Sequence, residues 1–348
     1  MKLGIVGLPQ SGRSTVFAAL TGARGEQEGR KGSRSDQRIG TVRVVDERVD
    51  LLTKIYKPEK ITLAQVEYLL PSEVVTGAPS RSENAIWNQV RICDALIHVT
   101  RNFQLPGGIE PNPENDFWHL EEEMIINDLV VAEKRIERIE LDSKRGKKPE
   151  EEEYSLVKSC QELLENNQSI RVRPELASAP LLKGFTFLSA KPQLVISNND
   201  DENELLPEWK VRPENIEIMV VRGRLEMEIA SMTPEEAQEF LTEYHIEESA
   251  LDRVIKSSYD LLNQISFFTV LNEEVRAWTT TKGTPALEAA GAVHSDMKRG
   301  FIRAETLAYD HLQEFGSFKE AKKVGQVRLE GKEYIVQDGD IINFRFNI

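Results

Sequence analysis

The stretch that most constrains this chain lies at its start, where an apolar strand meets a loop bounded by two glycines. Leu3-Gly4-Ile5-Val6 runs into Gly7-Leu8-Pro9-Gln10-Ser11-Gly12-Arg13-Ser14-Thr15, and helix-compatible Val16-Phe17-Ala18-Ala19-Leu20 follows. Strand, loop and helix in that order carry the G-x-x-x-x-G-K-[ST] spacing of a phosphate loop, with Arg13 at the Lys position. Glycines there let backbone N–H groups wrap an anion, the helix N-terminus favours negative charge, and a hydroxyl at Ser14 can reach Mg2+. The candidate phosphate-binding residues are Gly7, Gln10, Ser11, Gly12, Arg13, Ser14 and Thr15, and Ser14 is the candidate metal ligand. A glycine-rich turn without a ligand is the alternative, and the strand-loop-helix context argues against it.

The rest of the chain extends this beginning into an α/β architecture. Short apolar runs at Leu3 to Val6, Thr41 to Val45, Leu63 to Leu70, Ala95 to Thr100, Gln193 to Ser197 and Ile216 to Val221 alternate with polar or helical connections. That rhythm implies a mostly parallel sheet. Between the strand groups, Met124, Ile125, Leu129, Ala132, Ile136 and Ile139 recur at helical spacing. After Lys144-Arg145-Gly146-Lys147-Lys148-Pro149, so do Tyr154, Val157, Leu163 and Leu164. The pattern predicts an antiparallel helical hairpin. Leu120 to Ile170 holds 14 acidic and 8 basic residues, which fits a solvated helix surface, with the basic tip a secondary candidate for partner recognition. Thr233-Pro234-Glu235-Glu236 signals a helix start, and helical patterning continues from Leu251 to Leu262. From Phe267 onward short strands and turns predict a small β-rich domain.

Composition excludes several classes. With 348 residues the chain is long enough for two or three domains. Two cysteines, Cys93 and Cys160, cannot staple a chain of this size. No apolar run approaches the ~20 residues that span a bilayer, and Met-Lys-Leu-Gly-Ile-Val-Gly lacks the features of a signal peptide, so a cytoplasmic protein without a membrane partner is expected. A formal charge of -14 argues against a generic nucleic-acid coat but leaves a local basic face open.

Ordered matches along nearly the whole chain resemble the Obg-like ATPase (YchF) family. They include Ile55-Tyr56-Lys57-Pro58, Arg91-Ile92-Cys93-Asp94-Ala95-Leu96-Ile97-His98-Val99 and Glu247-Glu248-Ser249-Ala250-Leu251-Asp252-Arg253. Near the end come Glu274-Val275-Arg276-Ala277-Trp278-Thr279, Ala289-Ala290-Gly291, His294-Ser295-Asp296, Arg299-Gly300-Phe301-Ile302-Arg303-Ala304-Glu305 and Tyr334-Ile335-Val336-Gln337-Asp338-Gly339-Asp340-Ile341-Ile342. The resemblance implies a P-loop GTPase-like sheet with an inserted helical coiled-coil arm and a C-terminal β-grasp (TGS) domain. The expected boundaries are 1–118 with 179–266 for the GTPase-like domain, 119–178 for the arm and 267–348 for the TGS domain. It also implies a cytoplasmic factor that uses ATP or GTP with Mg2+ and associates with the ribosome or rRNA; the oligomeric state is left open.

Departures from the family fall on the chemical groups. Arg13 keeps the charge of the family's Lys but replaces a compact ammonium with a broad planar fork. Leu70 stands where the family has the Asp that supports Mg2+, Glu73 where it has a γ-phosphate-sensing Gly, and Arg34 where it has a metal-contacting Thr, beside Ser33 and Ser35. Val74 keeps the family's apolar residue at the position where other GTPases orient water. The loop aligned with the family's catalytic His, Gln104 to Asp116, contains no His, and His119 just beyond reads as structural or solvent-facing. Asn198-x-x-Asp201 resembles both a guanine-reading signature and the family's Asn-x-x-Glu, so Asn198, Asp201 and Gly223 are the candidate base-binding residues and the base stays open. An Asn/Asp turn after a strand is the alternative. Near Gly223, Arg222 and Arg224 read as phosphate or RNA contacts or, more simply, as solvated.

Three functions fit. The first is a purine-nucleotide-binding, translation-associated protein with weak or lost hydrolysis. The second is a nucleotide-independent docking protein using the arm and the TGS domain, where Lys298, Arg299 and Arg303 could form a basic patch. The third is an active ATPase or GTPase with relocated metal ligands, for which Glu67 and Glu73 are candidates.

Overall fold

The computed structural model describes all residues except 23–24, 27–36, 73–82, 149, 245–248, 272 and 348. Contacts divide it into two compact units, Met1–Val42 with Glu67–Val254 and Arg43–Val66 with Ile255–Ile348. In chain order the strands are β1 (Lys2–Val6), β2 (Gly25–Glu26), β3 (Arg38–Arg43), β4 (Lys60–Thr62), β5 (Gln65–Leu70), β6 (Ala95–Asn102), β7 (Gln193–Asn199), β8 (Glu217–Val221), β9 (Gln264–Leu271), β10 (Glu274–Thr281), β11 (Phe301–Leu307), β12 (Arg328–Glu330) and β13 (Ile341–Phe346).

The first unit contains a sheet of order β2-β3-β5-β1-β6-β7-β8. β1 lies parallel to β5 and β6, and β6, β7 and β8 continue in parallel. The central strands β1, β6 and β7 are covered on both faces, as parallel strands in the middle of such a sheet usually are. β7 is buried along its whole length. After β1 the chain builds the β5 side, then crosses to build the β6-β7-β8 side. That reversal puts the topological switch point at the C-terminal ends of β1 and β6, the usual place for a ligand in an open α/β sheet. The loop 7–12 leaves β1 at this point.

The predicted hairpin is the pair of helices Pro113–Lys144 and Glu151–Glu165. The first begins well before Met124, because Asn112 caps it by accepting from Asn115 N at 3.1 Å and Pro113 occupies the first turn. Ile125, Ala132 and Ile136 on one helix pack with Val157, Cys160, Leu163 and Leu164 on the other. At the hairpin's root, polar groups replace this apolar seam. Asp128 is fully buried and accepts from Arg91 Nη1 (3.1 Å), Leu188 N (3.0 Å), Ser189 N (2.7 Å) and Ser189 Oγ (2.8 Å). Two helical turns back, buried Glu121 is engaged by Ser169 and Arg171. Arg171 also donates to the Lys191 carbonyl at 2.9 Å, tying the root to the start of β7. Helix Pro234–Glu243 carries the expected start: Thr233 and Glu236 form a reciprocal capping box.

The second unit is a sheet of order β12-β11-β13-β9-β10-β4. Ala286, Ala289 and Ala290 of helix Ala286–Val293 pack on Phe267, Phe301 and Phe344. The segment after Phe267 was expected as strands and turns, yet it also holds helices Ala286–Val293, Ser295–Arg299, Tyr309–Phe315 and Phe318–Lys323. Their short lengths leave too few turns for a helical period to stand out in the sequence.

Grouping by contact differs from the sequence-derived boundaries in three places: residues 43–66 and 255–266 join the C-terminal unit, and the arm 119–178 stays within the first. The first excursion is built from helix Glu47–Tyr56 and β4. Asp46 caps the helix and Lys57 ends it in the left-handed region at φ 45°. β4 pairs in parallel with β10. Arg48 holds Asp338 with both terminal nitrogens, at 2.7 and 3.2 Å, and its guanidinium lies 5.1 Å from the centre of the Phe268 ring.

Candidate functional site

The glycine-bounded loop closes tightly on itself and on its neighbours. Ser11 N donates to Leu8 O at 3.2 Å, Gln10 adopts φ 66°, and Gly12 adopts φ 90° as helix Arg13–Gly22 begins. Gly12 has no room for a side chain, since a Cβ there would stand 2.0 Å from Asn198 Nδ2. A Cβ on Gly7 would stand 2.4 Å from the Val99 carbonyl oxygen. The glycines are therefore required by the protein's own packing, before any ligand enters. Arg13 is buried and folds back over the start of the loop, its Cγ 3.2 Å from where a Gly7 Cβ would sit. Gln10 and Ser14 are exposed, and Thr15 is half-buried.

A phosphate suits this loop on the evidence of one atom. Ser11 is buried, and its hydroxyl has no hydrogen-bond partner. Buried polar groups are rarely left so, and an orphan inside a loop of this shape points to an anion that completes it. For Mg2+ the fit is partial: Ser14 is exposed and carries a hydroxyl, whereas Leu70, at the expected Asp position, is 5% exposed and apolar. Arg34, Ser33, Ser35, Glu73, Val74, Glu247 and Glu248 lie outside the described residues.

Asn198 and Gly223 meet at the loop. Asn198 is buried; its Nδ2 donates to Ser11 O and its Oδ1 accepts from Gly223 N, both at 3.0 Å. This one side chain joins the end of β7, the phosphate loop and the start of helix Gly223–Ser231. Asp201 does not share that junction. Its Oδ1 accepts from Leu225 N at 3.1 Å, so the carboxylate caps the helix Gly223–Ser231, where the N-terminal partial charge favours it. Arg222 is largely covered and pairs with Glu204 at 2.7 Å, whereas Arg224 lies in solvent as expected, 3.5 Å from the exposed Glu228.

Sequence reasoning missed Asn199. Read there only as a replacement for the Lys of other GTPases, it is 3% exposed and satisfies every polar valence it has. Its Oδ1 accepts from Asn102 Nδ2 (2.8 Å) and Ser197 Oγ (2.9 Å), and its Nδ2 donates to Asn203 O (3.0 Å) and Leu205 O (2.8 Å). The available signal was a pair of carboxamides at the C-terminal ends of two strands, Asn102 on β6 and Asn199 on β7.

The loop aligned with the family's catalytic His is held by Arg101, which donates to the carbonyls of Phe103, Ile109 and Glu110 at 2.7, 3.1 and 3.0 Å. Gln104 is bonded to Glu110 at 2.8 Å. His119 is exposed and lies 3.6 Å from Glu123, as a solvent-facing residue would. In the C-terminal unit, the exposed Lys298 lies 2.6 Å from Glu288 and the exposed Arg299 pairs with Asp296.

His98 lies in β6, fully buried, with Nδ1 3.1 Å from Gln193 Nε2 and its ring stacked on Phe117. Burial, and secondarily Arg171, push its pKa down from 6.5 to about 3. Because the folded value lies below the unfolded one, the unfolded chain takes up the proton first as pH falls. The stability that depends on neutral His98 is intact above about pH 6.5 and is lost progressively towards pH 3. Unfolding free energies from denaturant titrations between pH 7 and pH 4.5 should fall more steeply for the native protein than for His98→Asn, by up to about 1.4 kcal/mol per pH unit. Parallel slopes would remove His98 as a cause.

The family YchF-GTPase_C, described as a protein of unknown function (DUF933), matches residues 264–347. The "Ribosome-binding ATPase YchF" of Bacillus subtilis (strain 168) is 39% identical, covering 99% of this chain and 99% of that protein. The protein of the same name from Escherichia coli O157:H7 is 36% identical, covering 100% and 99%. The structure of the Schizosaccharomyces pombe YchF GTPase matches with a TM-score of 0.84 at 27% identity, over 99% of this chain and 97% of that one. Among the described residues, no helix is long and apolar enough to cross a membrane.

Proposed function

The chain belongs to the YchF family, and on that premise we propose that it is a cytoplasmic, purine-nucleotide-binding protein that associates with the ribosome and hydrolyses its nucleotide slowly or not at all. The observation that carries the nucleotide reading is the buried, unpartnered Ser11 hydroxyl inside the loop 7–12 at the sheet's switch point. The ribosome enters through relatives named "Ribosome-binding ATPase" that match over nearly full length.

In this reading, backbone N–H groups of the loop and the start of helix Arg13–Gly22 bind the phosphates, while Arg13 supplies the positive charge. Ser14 and the nucleotide's own phosphate oxygens would hold Mg2+, which neutralises charge on the phosphates when bound. Slow turnover is supported by three features: the guanidinium at position 13, the apolar Leu70, and the lack of a His in the segment 104–116. ATP and GTP remain the two candidate nucleotides.

The test is a titration of nucleotide-free protein with labelled ATP, GTP, ADP and GDP, with and without Mg2+. Saturable binding that changes less than about tenfold on removing Mg2+ is expected, because the Asp that usually supports the metal is absent. Lack of saturable binding to all four would overturn the reading.

A further inference from the structure

We propose that Asn199 is the positioning residue of the base side of the nucleotide site: by pinning the segment 200–205 from within, it sets the affinity for the base without touching the phosphates. The inference rests on the nucleotide-binding reading above and deepens it.

Four hydrogen bonds converge on this one amide, two accepted from Asn102 and Ser197 and two donated to the carbonyls of Asn203 and Leu205. The segment is closed further by Asn203 N to Asp200 O at 3.0 Å and by Leu205 N to Asn203 Oδ1 at 3.0 Å. From outside, Arg222 Nη1 reaches Asp201 O at 3.4 Å and Glu204 Oε1 at 2.7 Å. Asp201 is thereby presented to the N-terminus of helix Gly223–Ser231, next to the Gly223 that Asn198 holds.

The division of labour follows from these contacts. Asn198 serves the phosphate loop, through Ser11, and Asn199 serves the base-side segment, through Asn203 and Leu205. The two are adjacent on β7, yet in a strand consecutive side chains point to opposite faces, so each can be altered without removing the other's contacts. A carboxamide is required at position 199 because the site needs two donors and an acceptor at once. Asp in its place would turn a second oxygen toward two carbonyl oxygens, and the hydroxyl of Ser or Thr supplies only one donor.

The experiment compares native protein, Asn199→Asp, Asn199→Ala and Asn102→Ala, with melting temperatures recorded to establish that each variant folds. Affinities are measured for ADP, GDP and inorganic tripolyphosphate, the last reporting the phosphate loop without a base. The expected result is a loss of about tenfold or more in affinity for both nucleotides in the Asn199 variants, a smaller loss in Asn102→Ala, and tripolyphosphate binding within about twofold of native. Unchanged nucleotide affinity in folded variants would overturn the proposal. So would an equal loss for tripolyphosphate, which would make Asn199 a general structural residue. Failure of the native protein to bind tripolyphosphate or either nucleotide would instead overturn the nucleotide-binding reading and the proposal with it.

Discussion

Gly12→Ala is expected to abolish nucleotide binding while the protein remains folded. The added Cβ would stand 2.0 Å from Asn198 Nδ2, a separation that real atoms do not adopt, at a backbone φ of 90° that L-residues avoid. Left-handed backbone alone costs about 1–2 kcal/mol. The clash adds to that, because Asn198 can retreat only by giving up its bonds to Ser11 O and Gly223 N, which together set the loop's shape. Gly108→Ala separates the two terms, since φ there is 76° but nothing lies within 4 Å of an added Cβ. It should leave binding within a fewfold of native. A second check is the double variant Gly12→Ala with Asn198→Ala, in which the clash is gone. If the contact explains the damage, the double variant loses less than the sum of the single losses; strict additivity would assign the effect to backbone strain alone.

Asp128→Ala should produce the largest loss of stability, about 3–5 kcal/mol for the first unit. The carboxylate is fully buried, so its removal leaves Arg91 without its anion and the Leu188 and Ser189 N–H groups without an acceptor. The intact pair is not thereby worth that much. Burial raises the Asp128 pKa against the pull of Ser189, Leu188 and Arg91, which records how much desolvation the ion pair has already absorbed. The loss comes from uncompensated partners. Asp142→Ala, which removes the half-buried partner of the exposed Lys147 near the arm's tip, should cost only a small fraction of the Asp128→Ala loss. Denaturant unfolding followed by a probe in the first unit distinguishes the two, and a loss below about 1 kcal/mol in Asp128→Ala would show that water replaces the carboxylate at the root.

The arm and the phosphate loop illustrate what local patterning reveals and what it hides. Ile125, Ala132 and Ile136 are visible as a seam because a helix repeats every 3.6 residues whatever it packs against. Asp128 lies in the same run and reads as one more charge on an acidic surface. Its burial depends on Arg91 and Ser189, brought to it from 37 and 61 residues away. Residues 43–66 are a similar case: Asp46, Lys57 and Pro58 bracket a helix, but nothing local says that β4 will pair with β10 or that Arg48 will hold Asp338.

At the candidate site the same division holds. The spacing from Gly7 to Thr15, the strand before it and the helix after it follow from the sequence by itself, because backbone conformation and a helix N-terminus are properties of consecutive residues. So do the departures at Arg13 and Leu70, whose chemistry is visible wherever the fold puts them. Only the tertiary structure decided that Gly12 must be a glycine because Asn198 fills its space, that Asp201 caps a helix, and that Asn199 organises the segment beside it. Those roles are set by partners far along the chain, and a hydrogen bond or a clash between distant residues has no period, spacing or composition by which a sequence could announce it.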